Sequence, residues 1–264
     1  MFQNQLNFRS IGLTQKTSVS VFLCITLLLC AKYSTAQSKA TEVQSFDKVV
    51  VSPHIEVTFK EGDKESVSVE SITVPREKLN IEVKNNTLKI YLDGAKITAD
   101  KKKQSKYNYQ KSESIYKGTI VKAVVTYKKI NALDLRGEEK FVFANTLDAE
   151  KLVLNIYGES QVYIKEVDLE SLFVSIYGES YLDIQKGTIE RQKFTAYGES
   201  KINASNVASE ETKLTAYGDG SFQLNVSKKL KITSYGEATI TYAGSPELNK
   251  GIVIGETTIT KVDF

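Results

Sequence analysis

Apolar and polar residues alternate along most of the chain, and glycine interrupts the alternation at nearly constant intervals. The residues four and two before each glycine, and four and six after it, are mostly apolar, as at Leu154, Ile156, Val162 and Ile164 around Gly158. A period of two indicates β-strands rather than helices. The glycines lie 18 to 21 residues apart, at Gly137, Gly158, Gly178, Gly198, Gly218, Gly236 and Gly255.

A repeat of about 20 residues predicts a solenoid, with regular coils over 131–262. A leucine-rich repeat has a similar length, but it needs an asparagine or cysteine at a fixed step, and none recurs here. The pattern therefore predicts an all-β fold, a parallel β-helix in which successive coils pair at about 4.8 Å and inward side chains stack in ladders. We expect the glycines to form sharp corners with positive φ.

The residues before these coils predict a less regular β region, 46–130. Alternating stretches fill 46–92, and "KNNT" at 84–87 is typical of a hairpin turn. They predict either an antiparallel cap or the first irregular coils, and both would protect an open sheet edge. The lysine-rich segment 96–118 predicts a solvated loop or insertion. Its tyrosines, Tyr107, Tyr109 and Tyr116, leave open a contact with nucleic acid or an anionic glycan.

The corners share one phrase, "YGES" at 157–160, 177–180 and 197–200, which becomes "YGDG" at 217–220 and "YGEA" at 235–238. Since the residue before each tyrosine is predicted to point inward, the tyrosines should point outward and stack. The carboxylates should form a column beside them, continued by Glu138 and Glu256. The candidate binding residues are Tyr157, Tyr177, Tyr197, Tyr217, Tyr235, Glu159, Glu179, Glu199, Asp219 and Glu237.

Two interpretations of these columns remain open. Stacked tyrosines could simply stabilise the corners, at roughly 0.5–1 kcal/mol for each aromatic pair. Repeated carboxylates repel by roughly 1 kcal/mol per neighbouring pair even in water, which favours a function such as binding a glycan or a cationic partner. Lys151, Lys193, Lys201 and Lys213 could relieve that repulsion. One acid per coil supplies too few oxygen ligands for calcium, so we predict no metal and no cofactor.

Catalytic signals are weak. A glycan-active β-helix needs a distinguished pair of acids or a basic residue beside bound calcium, and the acidic column offers neither. Arg136 and Arg191 stand at unrelated repeat positions, and His54 has no partner that the sequence reveals. We therefore predict a non-enzyme, and keep a glycan-active enzyme and a purely structural protein as alternatives.

The first 36 residues have the form of a signal peptide, with Arg9 and Lys16 before an apolar run and small residues near a cut after Ala36. An uncleaved anchor, or lipidation at Cys30, is the alternative. Both cysteines fall in this segment, so the mature chain, 37–264, would have no disulfide or thiolate site. Removing Arg9, Lys16 and Lys32 leaves 32 basic and 32 acidic residues, and this balance argues against nucleic-acid binding.

Several stretches together resemble the head GIN domain family of bacterial auto-transporter adhesins. They are "FDKVVVSPHIEVTFKEGDKESVSVE" (46–70), "TLKIYL" (87–92) and "ATITYAGSPELNKGIVIGETTITKV" (238–262), with "FDKV" and "Y-x-G-x-P" the most specific pieces. The resemblance spans about 46–262. It implies an exported, single-domain, right-handed β-helix of the Gram-negative envelope, without known enzymatic activity. Family corners usually read like "SGAS", whereas tyrosine and an acid replace two of those residues here.

These observations predict an exported binding or scaffolding module of the cell envelope. Its partner would be an envelope or extracellular glycan or a protein, and its location the periplasm, the outer-membrane surface or the medium. No membrane-spanning segment is expected after removal of the signal peptide.

Overall fold

The computed structural model describes residues 40–95 and 115–263, which belong to one compact unit, Lys39–Phe264. They form a β-solenoid of about six turns. The predicted signal peptide and residues 96–114 of the lysine-rich segment, with Tyr107 and Tyr109, lie outside the described residues. Besides a short 3-10 turn at Arg76–Lys78, the elements are β1 (Thr41–Glu42), β2 (Lys48–Val51), β3 (Ile55–Glu61), β4 (Ser66–Ile72), β5 (Leu79–Lys84), β6 (Thr87–Leu92), β7 (Val121–Tyr127), β8 (Ala132–Gly137), β9 (Lys140–Gly158), β10 (Gln161–Gly178), β11 (Tyr181–Ile184), β12 (Gly187–Tyr197), β13 (Lys201–Tyr217), β14 (Gly220–Tyr235), β15 (Ala238–Ala243), β16 (Glu247–Ile254) and β17 (Thr258–Lys261).

Successive coils pair in parallel and in register, as the 20-residue spacing predicted. Tyr157 lies beside Tyr177, Tyr177 beside Tyr197, and Tyr197 beside Tyr217 in adjoining strands. The longest strands bend within a coil, and the pairing of β9 with β10 shifts between Ile164 and Glu166. Because the register holds from coil to coil, each sequence position becomes a column parallel to the solenoid axis.

The core consists of the inward columns. Around the first six corner glycines, Gly137 to Gly236, all four inward positions are buried except Tyr242, which is partly buried; around Gly255, at the C-terminal end, Val253 is exposed and Ile259 is partly buried. Stacked aromatic rings join neighbouring coils in the interior, where Phe59 and Phe143 lie 4.5 Å apart between centroids. The alternating pattern therefore predicted the core correctly. Tyr242 departs from it because only the short β17 covers its C-terminal side.

The N-terminal region combines both predicted alternatives, an antiparallel cap and irregular coils. β2 pairs in parallel with both β6 and β8, and β3 pairs in parallel with both β7 and β9. The coil formed by β6 and β7 thus lies outside the one formed by β2 and β3. Its outer edge is covered by antiparallel strands, since β5 pairs with β6, β4 with β7, and β1 with β4. This arrangement protects the sheet edge at that end.

Local features explain the turns of this region. Asn85 and Asn86 both have positive φ between β5 and β6, which confirms the predicted hairpin at 84–87. Tyr116 is buried, and its hydroxyl donates to the carbonyl oxygen of Asp93 at 2.7 Å. The suggestion that Tyr116 contacts a nucleic acid or glycan is therefore wrong, because this tyrosine packs into the cap.

Candidate functional site

The corner glycines bring consecutive coils into close backbone contact. All seven have φ between 99° and 136°, as predicted for a sharp corner. A Cβ added at Gly158 would overlap the carbonyl oxygen of Gly137, and one added at Gly178 would overlap that of Gly158. Glycine is therefore required here both for its backbone conformation and for the missing side chain.

The serine of "YGES" faces inward and links the coils. Ser160, Ser180 and Ser200 are buried, and their hydroxyls donate to the carbonyl oxygens of Gly137, Gly158 and Gly178 at 2.9, 3.0 and 3.2 Å. No role for this serine was predicted from the sequence, although its repetition in the phrase was the available signal. Each bond satisfies a corner carbonyl, so the inner half of the phrase serves the fold.

The tyrosines of the phrase form one continuous outward stack. Centroids of neighbouring rings lie 5.1, 5.0, 4.8 and 5.1 Å apart, with interplanar angles of 2–6°. The guanidinium of Arg136 lies over the ring of Tyr157, 5.1 Å from its centroid, where the preceding coil has no tyrosine. This geometry agrees with the predicted outward ladder; a binding role for its members is a separate proposal.

The stack leaves ring edges and hydroxyls, rather than ring faces, available to a ligand. Neighbouring rings cover one another's faces, yet Tyr177, Tyr197 and Tyr217 remain 42%, 39% and 39% exposed. A sugar therefore cannot stack on the inner rings of the ladder, but can accept hydrogen bonds from a row of phenols. Burial raises the pKa of Tyr157, and Asp134 adds to that rise, so this phenol stays protonated at neutral pH.

The predicted carboxylates form an exposed column beyond the glycine corner. Glu159, Glu179, Glu199, Asp219 and Glu237 all face solvent. Within 40–95 and 115–263, no ion pair joins any of them to a lysine, so the predicted relief by Lys151, Lys193, Lys201 and Lys213 is not seen as direct contacts. Asp219 accepts a hydrogen bond from the backbone N–H of Glu237 at 3.3 Å.

Two further columns on the other side of the tyrosines were missed from the sequence. Two residues before each tyrosine stand small polar side chains, half-buried: Asn155, Ser175, Thr195, Thr215 and Thr233. Four residues before each tyrosine stand larger side chains: Val153, Phe173, Lys193, Lys213 and Lys231. The signal was the outward alternation already used for the strands, followed two and four residues back from the tyrosine.

These three columns lie side by side along the solenoid axis, and because the middle column carries the shortest side chains we describe them as a shallow groove. Its floor is the column of small polar residues, and its walls are the tyrosine column and the column from Val153 to Lys231. The walls are four residues apart along each strand, or about 13 Å between Cα atoms. We call the tyrosine column, the floor and the far wall together the Tyr face.

Other titratable candidates lie away from this face. The Nδ1 atom of His54 lies 2.8 Å from the carbonyl oxygen of Gly118 and 3.9 Å from Oε1 of Glu139. Glu139 is buried, its Oε2 accepts the backbone N–H of Glu138, and burial raises its pKa. His54 thus has structural partners that the sequence did not reveal. Arg136 packs over the ring of Tyr157 at the end of the tyrosine stack, whereas Arg191 is exposed beside Glu190.

The described residues contain neither a metal-binding cluster nor a membrane-spanning helix. Among the residues that the structure describes, no group of three or more histidine, cysteine, aspartate or glutamate side chains is placed to hold a metal ion. The same residues contain no helix long and apolar enough to cross a membrane.

A match to a known family model identifies the family to which the chain belongs. A family model described as "Putative auto-transporter adhesin, head GIN domain" matches residues 45–246. The chain belongs to this family. The resemblance drawn from "FDKV" and the following strands is thereby confirmed. A search of curated proteins finds no significant match to this head GIN domain protein.

Solved structures share the fold of this head GIN domain protein. A "putative adhesin" from Bacteroides fragilis gives a TM-score of 0.72 at 19% identity, covering 85% of this chain and 95% of the other. A "putative lipid binding protein" from Parabacteroides distasonis gives 0.61 at 20% identity, with coverage of 85% and 96%. A "putative adhesin" from Parabacteroides merdae gives 0.56 at 17% identity, with coverage of 85% and 95%. Identities of this size establish the common fold alone.

Proposed function

We propose that the protein is a non-enzymatic binding module of the bacterial envelope, and that its Tyr face holds a glycan lying along the solenoid axis. The observation that carries the proposal is the row of stacked tyrosines beside a polar groove, with about two fifths of Tyr177, Tyr197 and Tyr217 left exposed. Exposed tyrosines combine apolar area with a hydrogen-bonding group and are favoured in binding sites.

The chemistry of the groove fits a polyhydroxylated chain. Phenols line one wall, and the hydroxyls of Ser175, Thr195, Thr215 and Thr233 form most of the floor. Hydroxyls both donate and accept hydrogen bonds, as sugar hydroxyls do. Because each coil repeats the same groups, a polymer would make several equivalent weak contacts at once, which raises the overall affinity.

The carboxylate column has a secondary place in this proposal. Glu159, Glu179 and their equivalents lie past the glycine corner, outside the groove, where they can reach hydroxyls at the edge of a bound chain. They are also the groups through which a cation, or a protein partner with basic side chains, would contact the Tyr face. A protein is therefore the alternative ligand.

The names of the family and of the structural neighbours support a binding role. The family and two of the structural neighbours carry the name adhesin, and a third neighbour is named as a lipid-binding protein. These names favour a non-enzymatic module exposed in the envelope or outside the cell. A glycan-active enzyme has less support, because the acids of the carboxylate column are equivalent from coil to coil and all of them are exposed, so none forms a distinguished pair.

A glycan array tests the proposal, with the protein assayed in calcium and in a chelator. We expect specific signals that survive chelation, and their loss in the variant Tyr177→Ser/Tyr197→Ser/Tyr217→Ser, whose β circular dichroism stays native. Signals that require calcium would place the ligand at the carboxylates instead. Native circular dichroism with full binding by the variant would refute the proposal, whereas loss of the β signal would show that the ladder is structural.

A further inference from the structure

The far wall of the groove carries a row of three lysines that make no ion pair with a described residue. Lys193 pairs in register with Lys213, and Lys213 with Lys231, in three consecutive coils. All three are exposed, and none takes part in an ion pair with another described residue. Their ammonium groups are therefore free to meet a ligand in the groove.

The neighbouring column on the same strands shows that the repeat does not require like charges to lie opposite one another. Arg191 pairs in register with Glu211, Glu211 with Lys229, and Lys229 with Glu247. Charges alternate there, at the same coil spacing and with the same exposure, and neighbouring coils attract. Only two residues further along each strand, like charges lie directly opposite one another, which destabilises a sheet. An anionic ligand would offset that repulsion.

The positive wall is confined to one half of the groove. In the earlier coils the same column holds Val153 and Phe173, and the ammonium of Lys151 lies 5.1 Å from the centre of the Phe173 ring. The positive half spans the coils in which the floor is threonine, at Thr195, Thr215 and Thr233. There, phenol and threonine hydroxyls face ammonium groups across the groove, a set of donors suited to carboxylate, sulfate or phosphate oxygens.

The acidic column does not cancel this field within the groove. Glu199, Asp219 and Glu237 follow the glycine corner, so the tyrosine column stands between them and the floor. They lie six residues along the chain from the lysines of their own coils, a separation beyond the Debye length of about 8 Å at physiological salt. Solvent therefore screens the attraction between the acidic and lysine columns more strongly than the attraction between a lysine and a ligand in contact with it.

We propose that the ligand of the Tyr face is an anionic polysaccharide, bound with its acidic groups along Lys193, Lys213 and Lys231. This inference rests on the proposed function and narrows it, since a neutral glycan would leave the lysine column without a role. The contacts are solvent-exposed, so binding should weaken as salt concentration rises.

The test uses two polymers with the same backbone, polygalacturonate and its fully methyl-esterified form, with affinity measured by biolayer interferometry. We expect the full-length protein to bind polygalacturonate, to lose affinity between low and high sodium chloride, and to bind the neutral ester about tenfold less tightly. The variant Lys193→Gln/Lys213→Gln/Lys231→Gln should lose about tenfold in affinity for polygalacturonate. The matched control Lys60→Gln/Lys129→Gln/Lys165→Gln removes the same charge from exposed positions outside the Tyr face and should stay within about twofold.

Each contrary result has a distinct meaning. Equal binding of both polymers, unchanged in the lysine variant but lost in the tyrosine-to-serine variant, would overturn the anionic class and leave the glycan proposal standing. Equal losses in the lysine variant and its control would also overturn the inference, since net charge alone would then explain binding. No binding of either polymer by the folded protein would contradict the inference. Binding that survives in the tyrosine-to-serine variant would refute the proposed function itself.

Discussion

The inner and outer residues of the corner phrase repeat equally in the sequence, but different physical constraints act on them. On the inner side, the glycine keeps positive φ in all seven corners, even where the rest of the phrase has changed. On the outer side, the tyrosine column is replaced at its ends by Arg136 and Ile254, which pair in register with Tyr157 and Tyr235. The corner fold therefore needs the glycine, but it does not need the tyrosine.

The serine lies between these extremes. Gly220 and Ala238 take its place in two later coils, and Thr257 restores a hydroxyl whose Oγ1 donates to the Gly236 carbonyl oxygen at 3.3 Å. Repetition alone therefore does not distinguish a structural column from a functional one. The distinction comes from the positions that can change while the backbone stays the same, and these are the outer columns to which we assign the proposed binding role.

The largest effect is expected from changing the inner side at Gly178. The change Gly178→Ala places a methyl group against the carbonyl oxygen of Gly158 and forces a non-glycine residue to φ of 122°. We expect the free energy of unfolding to fall by about 3 kcal/mol or more, because strain and overlap add. Urea denaturation followed by circular dichroism measures it.

The neighbouring outer position provides the control for that change. Glu179→Ala alters an exposed side chain one residue further along the same corner, and we expect a change within about 0.5 kcal/mol. Similar losses in the two variants would contradict the division of the corner into an indispensable inner side and a replaceable outer side.

A smaller effect is expected at Glu139, a carboxylate that occupies the inner serine position of the first corner. Burial raises the pKa of Glu139 in the folded protein. A raised pKa means that the folded state holds the proton more tightly, so this contribution to stability is present at low pH and is lost as the pH rises through the folded pKa. The variant Glu139→Gln, which stays neutral, should therefore be more stable than the wild type at pH 7.

Denaturation curves at several pH values test this prediction. The advantage of Glu139→Gln should shrink as the pH falls toward about 4, where the unfolded carboxyl group becomes protonated. Glu138→Gln makes the same chemical change at the exposed neighbour and serves as control. A variant at Glu139 that is less stable than the wild type at pH 7 would show that the ionised carboxylate, close to His54, is a net stabilising group.

The sequence predicted the solenoid, its core and the outward tyrosine column because a strict alternation and a constant repeat translate directly into columns. It did not predict that β2 lies between β6 and β8. This order depends on long-range strand pairing, which no local sequence pattern records. The groove was also missed. The threonine and lysine columns are ordinary polar residues in any single coil, and become a surface only when the register stacks them.

The most direct test of the central claim is glycan-array binding by the variant Tyr177→Phe/Tyr197→Phe/Tyr217→Phe. Phenylalanine keeps the stacked rings and the apolar area, and removes only the phenol hydroxyls that the ring stack leaves available. We predict that the variant folds with native stability and loses the glycan signals of the wild type, as the serine variant does. Undiminished binding by the phenylalanine variant would contradict the claim that the phenol row is the ligand-binding wall of the Tyr face.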